Sequence, residues 1–370
     1  MTENASRLRR PRIRRSGSRI ARGLLAGCVA LAATGAARAD TPPSVWDRAR
    51  DPATADSYRL HLEVQRRLAT DATAVAFGFS APHESQMLSV RSLLERANAD
   101  KSLDPRLRFD LGLVYLLLGA SEGNVYYKRS AEVLGAALAA APDDPGAEEA
   151  WSRLADACGH VGDHECERRA YLNVLVLTTE EIRSGPGPER GTANLNLAEA
   201  QMHLGNLKEA IEGYREALRI AQRFPYRHLA ALAMWGLAVA YDRSGDTVAA
   251  DKEALAVVEM QRSSGMVGLL RSSSVFFYPD YEISWYDAAG AAALARKPNA
   301  TAAEAARYWK IAEDAYAAFV RGAERDPKPD RWLELARVRY AAAKLAREKA
   351  EKKRGKAPVE VPIDDEEQSP

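Results

Sequence analysis

The sequence predicts an all-α protein, a right-handed superhelical solenoid of antiparallel helix pairs that closes on a C-terminal capping helix. Three observations predict this fold class. A nine-residue phrase occurs four times, its copies are separated by 43, 43 and 40 residues, and the residues after each copy follow a common pattern. A repeat of roughly 20–50 residues is typical of stacked supersecondary units rather than of one closed globule.

Each copy of the phrase begins with Leu, continues with Gly or Ala, and has a Gly eight residues after the Leu. The copies are Leu111-Gly112 to Gly119, Leu154-Ala155 to Gly162, Leu197-Ala198 to Gly205 and Leu237-Ala238 to Gly245. A small residue beside Leu lets a second helix approach closely. The later Gly is suited to ending a helix, because Gly adopts the left-handed conformation without a Cβ penalty. Each copy therefore predicts the first helix of a hairpin and the point where it ends.

The second halves of the repeats agree with this interpretation. Ala210 would face Ala198 across one hairpin, and Tyr214 and Tyr171 lie at the same offset from their respective Leu. The run that ends at Pro142 would close a second helix, since Pro cannot continue one. These features resemble the tetratricopeptide repeat family over about residues 100–263, and less closely over 300–350. The resemblance implies a superhelix that binds other proteins.

The repeat period departs from the usual tetratricopeptide repeat of about 34 residues. Copies 40–43 residues apart predict helices about one turn longer than usual. HEAT-type helical repeats are the structural alternative.

The N-terminal 39 residues are typical of a secretory signal. Residues 1–22 carry eight Arg and one acidic residue, and the apolar run of twelve residues over 23–34 is too short to span a bilayer. Ala37-Arg38-Ala39 has the small-x-small pattern of a signal-peptidase site, so we expect cleavage after Ala39 and a soluble periplasmic protein. The alternative is a lipoprotein, because Leu25-Ala26-Gly27-Cys28 matches a lipoprotein box that would leave a lipidated Cys28.

Charge and composition fit an exported soluble protein. Without the first 39 residues the chain has 43 basic and 50 acidic residues, which argues against a general nucleic-acid binder, since such a protein needs a basic surface. The hydrophobic content of 46% is ample for a continuous core, and we expect no transmembrane segment in the mature chain.

The remaining segments predict the domain organisation. We expect a linker over 40–53, helices over 54–70 and 84–99, a turn lengthened by residues 121–127, a loop over Gly185–Gly191, a hairpin over 226–263, and helices over 280–296, 300–324 and 328–354. Residues 54–263 are thus predicted to be repeats, and 264–354 divergent repeats that end in a polar capping helix. The tail over 355–370 cannot bury enough apolar surface to fold alone, so we expect it to be disordered and acidic.

The densest cluster of reactive side chains surrounds Gly162 and contains Cys158, His160, His164 and Cys166. The two cysteines flank the hairpin turn at equal distances, and an exported protein meets an oxidising compartment, so a disulfide is the first hypothesis. A zinc or copper site made by all four side chains is the second, because these are metal-ligand types. Two buried free thiols are the third.

An aromatic cluster lies where the repeat phase breaks. Its members are Phe276, Phe277, Tyr278, Tyr281, Trp285 and Tyr286. One interpretation is that these residues cover the edge of the preceding hairpin. The other is a partner-binding site, since Tyr and Trp are enriched at interface hot spots.

Together these features predict a non-catalytic periplasmic scaffold without a cofactor, which binds a protein or peptide partner in a cell-envelope assembly. One alternative is a lipid-anchored accessory protein of outer-membrane assembly, motility or pili. The other is a metal-binding or hydrolytic protein that uses the Cys158–Cys166 cluster. We predict no nucleic-acid ligand.

Overall fold

Thirteen α-helices make up the part of the chain that the structure, a computed structural model, describes. That part comprises residues 54–76, 84–178, 188–223, 227–264 and 278–355, and it contains no strand. The helices are α1 Ala55–Ala76, α2 Glu84–Arg96, α3 Pro105–Glu122, α4 Asn124–Ala140, α5 Ala147–His160, α6 His164–Leu177, α7 Pro188–Leu204, α8 Leu207–Arg223, α9 Arg227–Ser244, α10 Thr247–Ser264, α11 Ile283–Ala295, α12 Ala302–Arg325 and α13 Leu333–Arg354. The predicted signal, the predicted linker and residues 356–370 of the predicted tail lie outside the described residues.

Short polar residues and glycines set the helix boundaries. The carboxylate of Asp104 accepts a hydrogen bond from the backbone N–H of Arg106 at the start of α3, and Thr301 forms a capping box with Glu304 at the start of α12. The predicted helix ends at Gly162, Gly205 and Gly245 have φ angles of 66°, 84° and 89°, in the left-handed region that favours glycine.

The prediction that Gly119 ends a helix is wrong. Helix α3 continues through Gly119 to Glu122, and Gly123, with φ of 84°, makes the turn instead. Gly119 allows α3 and α4 to pack closely, because a Cβ atom at this position would overlap the ring of Tyr127. The expected lengthening of the turn by residues 121–127 is also wrong, since all of these residues except Gly123 are helical.

The prediction of a loop over Gly185–Gly191 is wrong for residues 188–191, which are helical. Residues 185–187 lie outside the described part. Helix α7 already begins at Pro188, a residue that is well tolerated in a first helical turn. Gly191 is buried in this helix, and a Cβ atom there would lie only 2.6 Å from Leu229 Cδ2. The glycine is therefore needed for close approach of α9, a role that its sequence context does not reveal.

Consecutive helices pack as antiparallel neighbours, and their apolar faces form three adjoining clusters. The first is centred on Leu94, Leu111 and Leu118, and the second on Leu138 and Tyr171. The third extends from Leu195 to Ala343 and includes the fully buried side chains of Tyr214, Trp285 and Phe319. This seam is the expected core of a repeat superhelix, in which each unit buries its apolar face against its neighbours.

The two helices of the α7–α8 hairpin approach closely at Ala198, and the residue opposite Ala198 is Gly213. Ala198 and Ala210 are both fully buried. Across the hairpin, a Cβ atom added to Gly213 would lie 2.9 Å from the Cβ of Ala198. Small residues on both helices thus permit the short distance between them.

The last helix, α13, packs against α12 and differs from the predicted polar cap. Val338 is 61% exposed and Leu345 is 52% exposed, so its outer face is partly apolar. No helix among the described residues is long and apolar enough to cross a membrane.

Candidate functional site

Three successive hairpins place a basic side chain at the same position. His160, His203 and Arg243 each lie two residues before the glycine that ends the first helix of their hairpin. The chain segment before α11, residues 278–282, contacts all three of these side chains. The ring of Tyr278 meets that of His160 edge-on at 5.0 Å, and the carboxylate of Glu282 lies 3.9 Å from His203 and 2.6 Å from Arg243.

Arg243 and Glu282 form an ion pair in which both side chains are fully buried. The guanidinium group lies between two indole rings, 4.5 Å from the centroid of Trp285 and 5.0 Å from that of Trp332. Burial opposes the charge of Arg243, but the attraction of Glu282 keeps its pKa above the ordinary value. Burial raises the pKa of Glu282, and Arg243 opposes that rise. The pair therefore locks segment 278–282 to the end of α9.

His203 lies beside this ion pair and forms a stack with His164, with ring centroids 4.2 Å apart and ring planes 6° apart. Its Nε2 lies 3.3 Å from the carboxylate of Glu199, which also accepts hydrogen bonds from Tyr214 and Tyr286. Burial disfavours the imidazolium ion, yet Glu199 and Glu282 together raise the pKa of His203 to about 9. His203 is therefore a buried cation at neutral pH.

The other ring of the stack belongs to a second His–carboxylate pair. His164 Nδ1 lies 2.9 Å from Glu167 Oε2. Burial, together with the charges of His203 and Lys328, lowers the pKa of His164 to about 2, and burial raises the pKa of Glu167 to about 8. This pair is thus neutral at neutral pH, which allows His164 to stack on a charged neighbour.

A cavity of about 540 Å³ opens beside the histidine stack. It is lined by the turn after α5, by segment 278–282 and by the loop that joins α12 to α13. The lining residues are Asn124, Val161, Gly162, His164, His203, Tyr278, Pro279, Tyr281, Gly322, Arg325, Asp326, Pro327, Lys328, Pro329, Asp330, Arg331 and Trp332.

The cationic side chains of the cavity differ in whether they bind another part of the protein. Lys328 Nζ donates a hydrogen bond to the carbonyl of Val161, which closes the C-terminal end of α5. Arg325 and Arg331 form no ion pair with any described residue, and the indole N–H of Trp332 has no hydrogen-bond partner there. The cavity therefore combines aromatic surface with two arginines, an arrangement that suits a carboxylate-bearing ligand.

The predicted cysteine pair is close enough to bridge. The Cα atoms of Cys158 and Cys166 are 5.8 Å apart, inside the limit of about 7 Å for a bridge. His160 stacks on Tyr127 at 4.0 Å, while His164 stacks on His203. Within the described residues, no group of three or more His, Cys, Asp or Glu side chains is arranged to hold a metal ion.

The aromatic cluster divides between core and cavity. Trp285 and Tyr286 are fully buried and belong to the core, as the first interpretation of this cluster expects. Tyr278 and Tyr281 line the cavity, where they can face a partner. Phe276 and Phe277 lie outside the described residues.

The sequence pattern missed most of the site. His203 is an isolated histidine in the sequence, and neither Arg243 nor Glu282 belongs to a recognisable motif. The position two residues before each helix-ending glycine is a usable signal, because it carries His, His and Arg in successive repeats. Nothing in the sequence indicates that Glu282, 39 residues after Arg243, would pair with it.

Comparison with known proteins identifies the repeat. The family model of the tetratricopeptide repeat matches residues 189–263, which correspond to helices α7 to α10. No curated protein matches the sequence.

Three solved structures are similar to the chain. MamA (AMB-1) is 20% identical, with 48% of this chain and 92% of that chain covered and a TM-score of 0.39. A putative kinesin light chain with nearly identical TPR-like repeats from Podosopora anserina is 19% identical, with 56% and 96% covered and a TM-score of 0.43. The apo form of RapI is 11% identical, with 83% and 99% covered and a TM-score of 0.44. The family match therefore identifies tetratricopeptide repeats over residues 189–263, which are helices α7 to α10.

Proposed function

We propose that this protein is an exported, non-catalytic scaffold of a cell-envelope assembly and that it binds an acidic segment of a protein partner in the cavity beside the histidine stack. The observation that carries the proposal is the pair of arginines, Arg325 and Arg331, at a cavity walled by Tyr278, Tyr281 and Trp332. Arginine and aromatic side chains are the residue types enriched at interface hot spots.

The charge balance of the cavity favours an acidic partner. Its two carboxylates are already engaged. Asp330 accepts hydrogen bonds from the Tyr281 hydroxyl at 2.9 Å and the Trp332 backbone N–H at 2.6 Å. Asp326 accepts one from the Lys328 backbone N–H at 2.8 Å. The arginines form no ion pair with any described residue, so a carboxylate that enters the cavity could pair directly with them.

Export to the periplasm and a disulfide belong to the same proposal. The N-terminal pattern that ends at Ala39 supports export, and the Cα separation of Cys158 and Cys166 supports a bridge in an oxidising compartment. On the chain-entropy model a bridge across so short a loop would stabilise the fold by roughly 2–3 kcal/mol. The bridge would also fix the turn in which the carbonyl of Val161 accepts a hydrogen bond from Lys328 Nζ.

Cross-linking in the native envelope tests whether the cavity binds the protein partner. The full-length protein and an Arg325→Glu/Arg331→Glu variant would be expressed at equal levels, cross-linked in cells and purified. We expect the partner yield to fall about tenfold in the variant, which corresponds to about 1.4 kcal/mol of binding free energy. Lys252→Glu on α10 is the matched control, because Lys252 is an exposed cation outside the cavity. Equal yields from both variants would contradict the proposed binding site.

A further inference from the structure

The outer face of α13 forms an apolar stripe at the C-terminal end of the described repeats. Its members are Val338, Ala341, Ala342 and Leu345, which lie on one side of the helix because of their spacing, and all four are exposed. The terminal unit of a solenoid usually has a polar outer face. An apolar stripe at this place therefore indicates a surface that another molecule covers.

The two ends of the α13 stripe carry opposite charges. Glu334 lies one helical turn before Val338, and Lys349 lies one turn after Leu345, so both extend the same line along the helix. Both charged residues are exposed. An occupant of the stripe therefore needs apolar side chains in its middle, a base opposite Glu334 and an acid opposite Lys349.

These two charges are available to such an occupant. Lys349 forms no ion pair with any described residue, and the pairs on this part of α13 are made by Arg347. Glu334 contacts Arg337, and Arg337 also pairs with Glu324. Two carboxylates thus share one guanidinium group. Because Glu334 is 80% exposed, its carboxylate retains the capacity to accept a hydrogen bond from a second cation.

A second copy of α13 has the required pattern when it runs antiparallel to the first. If the two helices cross at the point between Ala341 and Ala342, Val338 and Leu345 lie at equal distances on either side of that point. Val338 of each copy then faces Leu345 of the other. The alanines at the crossing have small side chains, so the two helix axes can approach to about 8 Å.

The same register pairs the charges. Glu334 and Lys349 also lie at equal distances from the crossing, so Glu334 of each copy faces Lys349 of the other, and two-fold symmetry forms this pair twice. A parallel arrangement would instead place like charges side by side at both ends. The stripe is therefore complementary to itself in the antiparallel direction.

The other cations of α13 do not oppose this arrangement. Lys352 would lie at the level of Arg331 of the second copy. Arg331, however, lines the cavity, and its Nη1 lies 2.7 Å from the position that a Cβ atom on Gly205 would take. Its guanidinium group is thus directed towards the turn after α7 rather than towards the second copy. Lys344 lies about 100° around the helix from Leu345, at the flank of the contact.

From this self-complementarity we propose that two copies of the protein associate through their α13 stripes in an antiparallel, two-fold symmetric dimer. The contact runs from Glu334 to Lys349, which corresponds to about 24 Å of helix. Stable interfaces bury about 1,200–2,000 Å². A contact limited to one face of one helix is smaller than this, so the dimer is weak and reversible, with a dissociation constant on the order of 10–100 μM.

Sedimentation equilibrium of the purified protein tests the dimer. We expect the mean mass to rise from that of a monomer towards that of a dimer between about 1 and 500 μM. Leu345→Lys should raise the dissociation constant about tenfold or more, because it places a charge inside the apolar contact. Val248→Lys on α10 is the matched control. Val248 is 83% exposed and lies outside α13, so this variant should dimerise like the unchanged protein.

Exchange of the two charges tests the antiparallel register. Glu334→Lys makes both ends of the stripe basic and Lys349→Glu makes both ends acidic, so each variant alone should dimerise about tenfold more weakly. An equimolar mixture of the two variants should form a heterodimer as tight as the original dimer, because each supplies the charges that the other lacks. Lys252→Glu on α10, a charge change at an exposed residue outside the contact, should have no effect.

Circular dichroism would establish that every variant is folded before its association is compared. Three results would each overturn the proposal. The first is a protein that stays monomeric up to about 500 μM. The second is a dimer that Leu345→Lys leaves unchanged. The third is a mixture of the two single charge variants that associates no more tightly than each variant alone.

Discussion

The buried ion pair between Arg243 and Glu282 gives the sharpest prediction. Each side chain is fully buried, and they are joined by one hydrogen bond of 2.6 Å. Arg243 Nε and Nη1 and Glu282 Oε1 have no other hydrogen-bond partner in the described structure. Incomplete hydrogen bonding means that the attraction between the charges only partly offsets the cost of removing them from water.

Single and double replacements by methionine should therefore differ strongly. Glu282→Met leaves Arg243 as a buried charge that cannot be neutralised, so we expect a loss of about 3–5 kcal/mol in the free energy of unfolding. Arg243→Met should cost less, because burial already raises the pKa of Glu282, which can take up a proton. The double variant removes both charges and should be at least as stable as the better single variant.

Urea unfolding followed by tryptophan fluorescence is the appropriate assay, because Trp285 and Trp332 flank the guanidinium group. The partly exposed pair between Arg296 and Asp251 is the control. These side chains are 35% and 21% exposed, and Asp251→Asn should cost no more than about 1 kcal/mol. If the losses from the two methionine variants simply add in the double variant, the two charges are not coupled and the reasoning is refuted.

Three more predictions concern other parts of the fold. Burial raises the pKa of Glu167 from 4.5 to about 8, so the folded state holds this proton more tightly than the unfolded state. The contribution of Glu167 to stability should be fully present below pH 4.5 and fall as the pH rises from 4.5 to about 8, by on the order of 1 kcal/mol per pH unit. Melting curves of Glu167→Gln should lack this part of the pH dependence. Gly119→Ala should lower the free energy of unfolding by roughly 1–3 kcal/mol, because its Cβ would overlap the ring of Tyr127. Gly135→Ala is the control and should raise the free energy of unfolding by up to about 1 kcal/mol, since a Cβ there meets nothing within 4 Å. Equal effects of the two variants in chemical denaturation would rule out the packing role of Gly119. Non-reducing peptide mapping should find Cys158 and Cys166 in one linked fragment, and two free thiols there would end the disulfide proposal.

The repeat pattern predicted most of the helical architecture because the signals are local. Helix ends at Gly162, Gly205 and Gly245 follow from the low cost of the left-handed conformation for glycine, which depends on no distant residue. Gly119 shows where the same pattern fails. It occupies the equivalent position in its repeat, but there the absent side chain leaves room for the ring of Tyr127. The residue with positive φ at the helix end is Gly123 instead. A glycine that permits close packing looks the same in sequence as one that permits a positive φ.

The cavity could not be predicted from the sequence in the same way, because its parts are far apart in the chain. The two cysteines and the helix turn between them are local, and their proximity follows from the hairpin. The cavity, however, depends on Lys328, which reaches the carbonyl of Val161 across 167 residues, and on Tyr278, which lies close to His160. No periodicity specifies such contacts, since they join the divergent C-terminal helices to earlier repeats.

These long-range contacts bear on how the solenoid behaves as a whole. In an ordinary repeat stack each unit contacts only its neighbours, so stability is a sum of local terms and the ends can unfold independently. Here segment 278–282 contacts the second, third and fourth of the repeated units at His160, His203 and Arg243. Opening α11 to α13 must therefore break contacts in three units at once and expose the buried charges of His203 and Arg243. The C-terminal helices should consequently unfold together with the central repeats, in one transition rather than from the end of the solenoid inward.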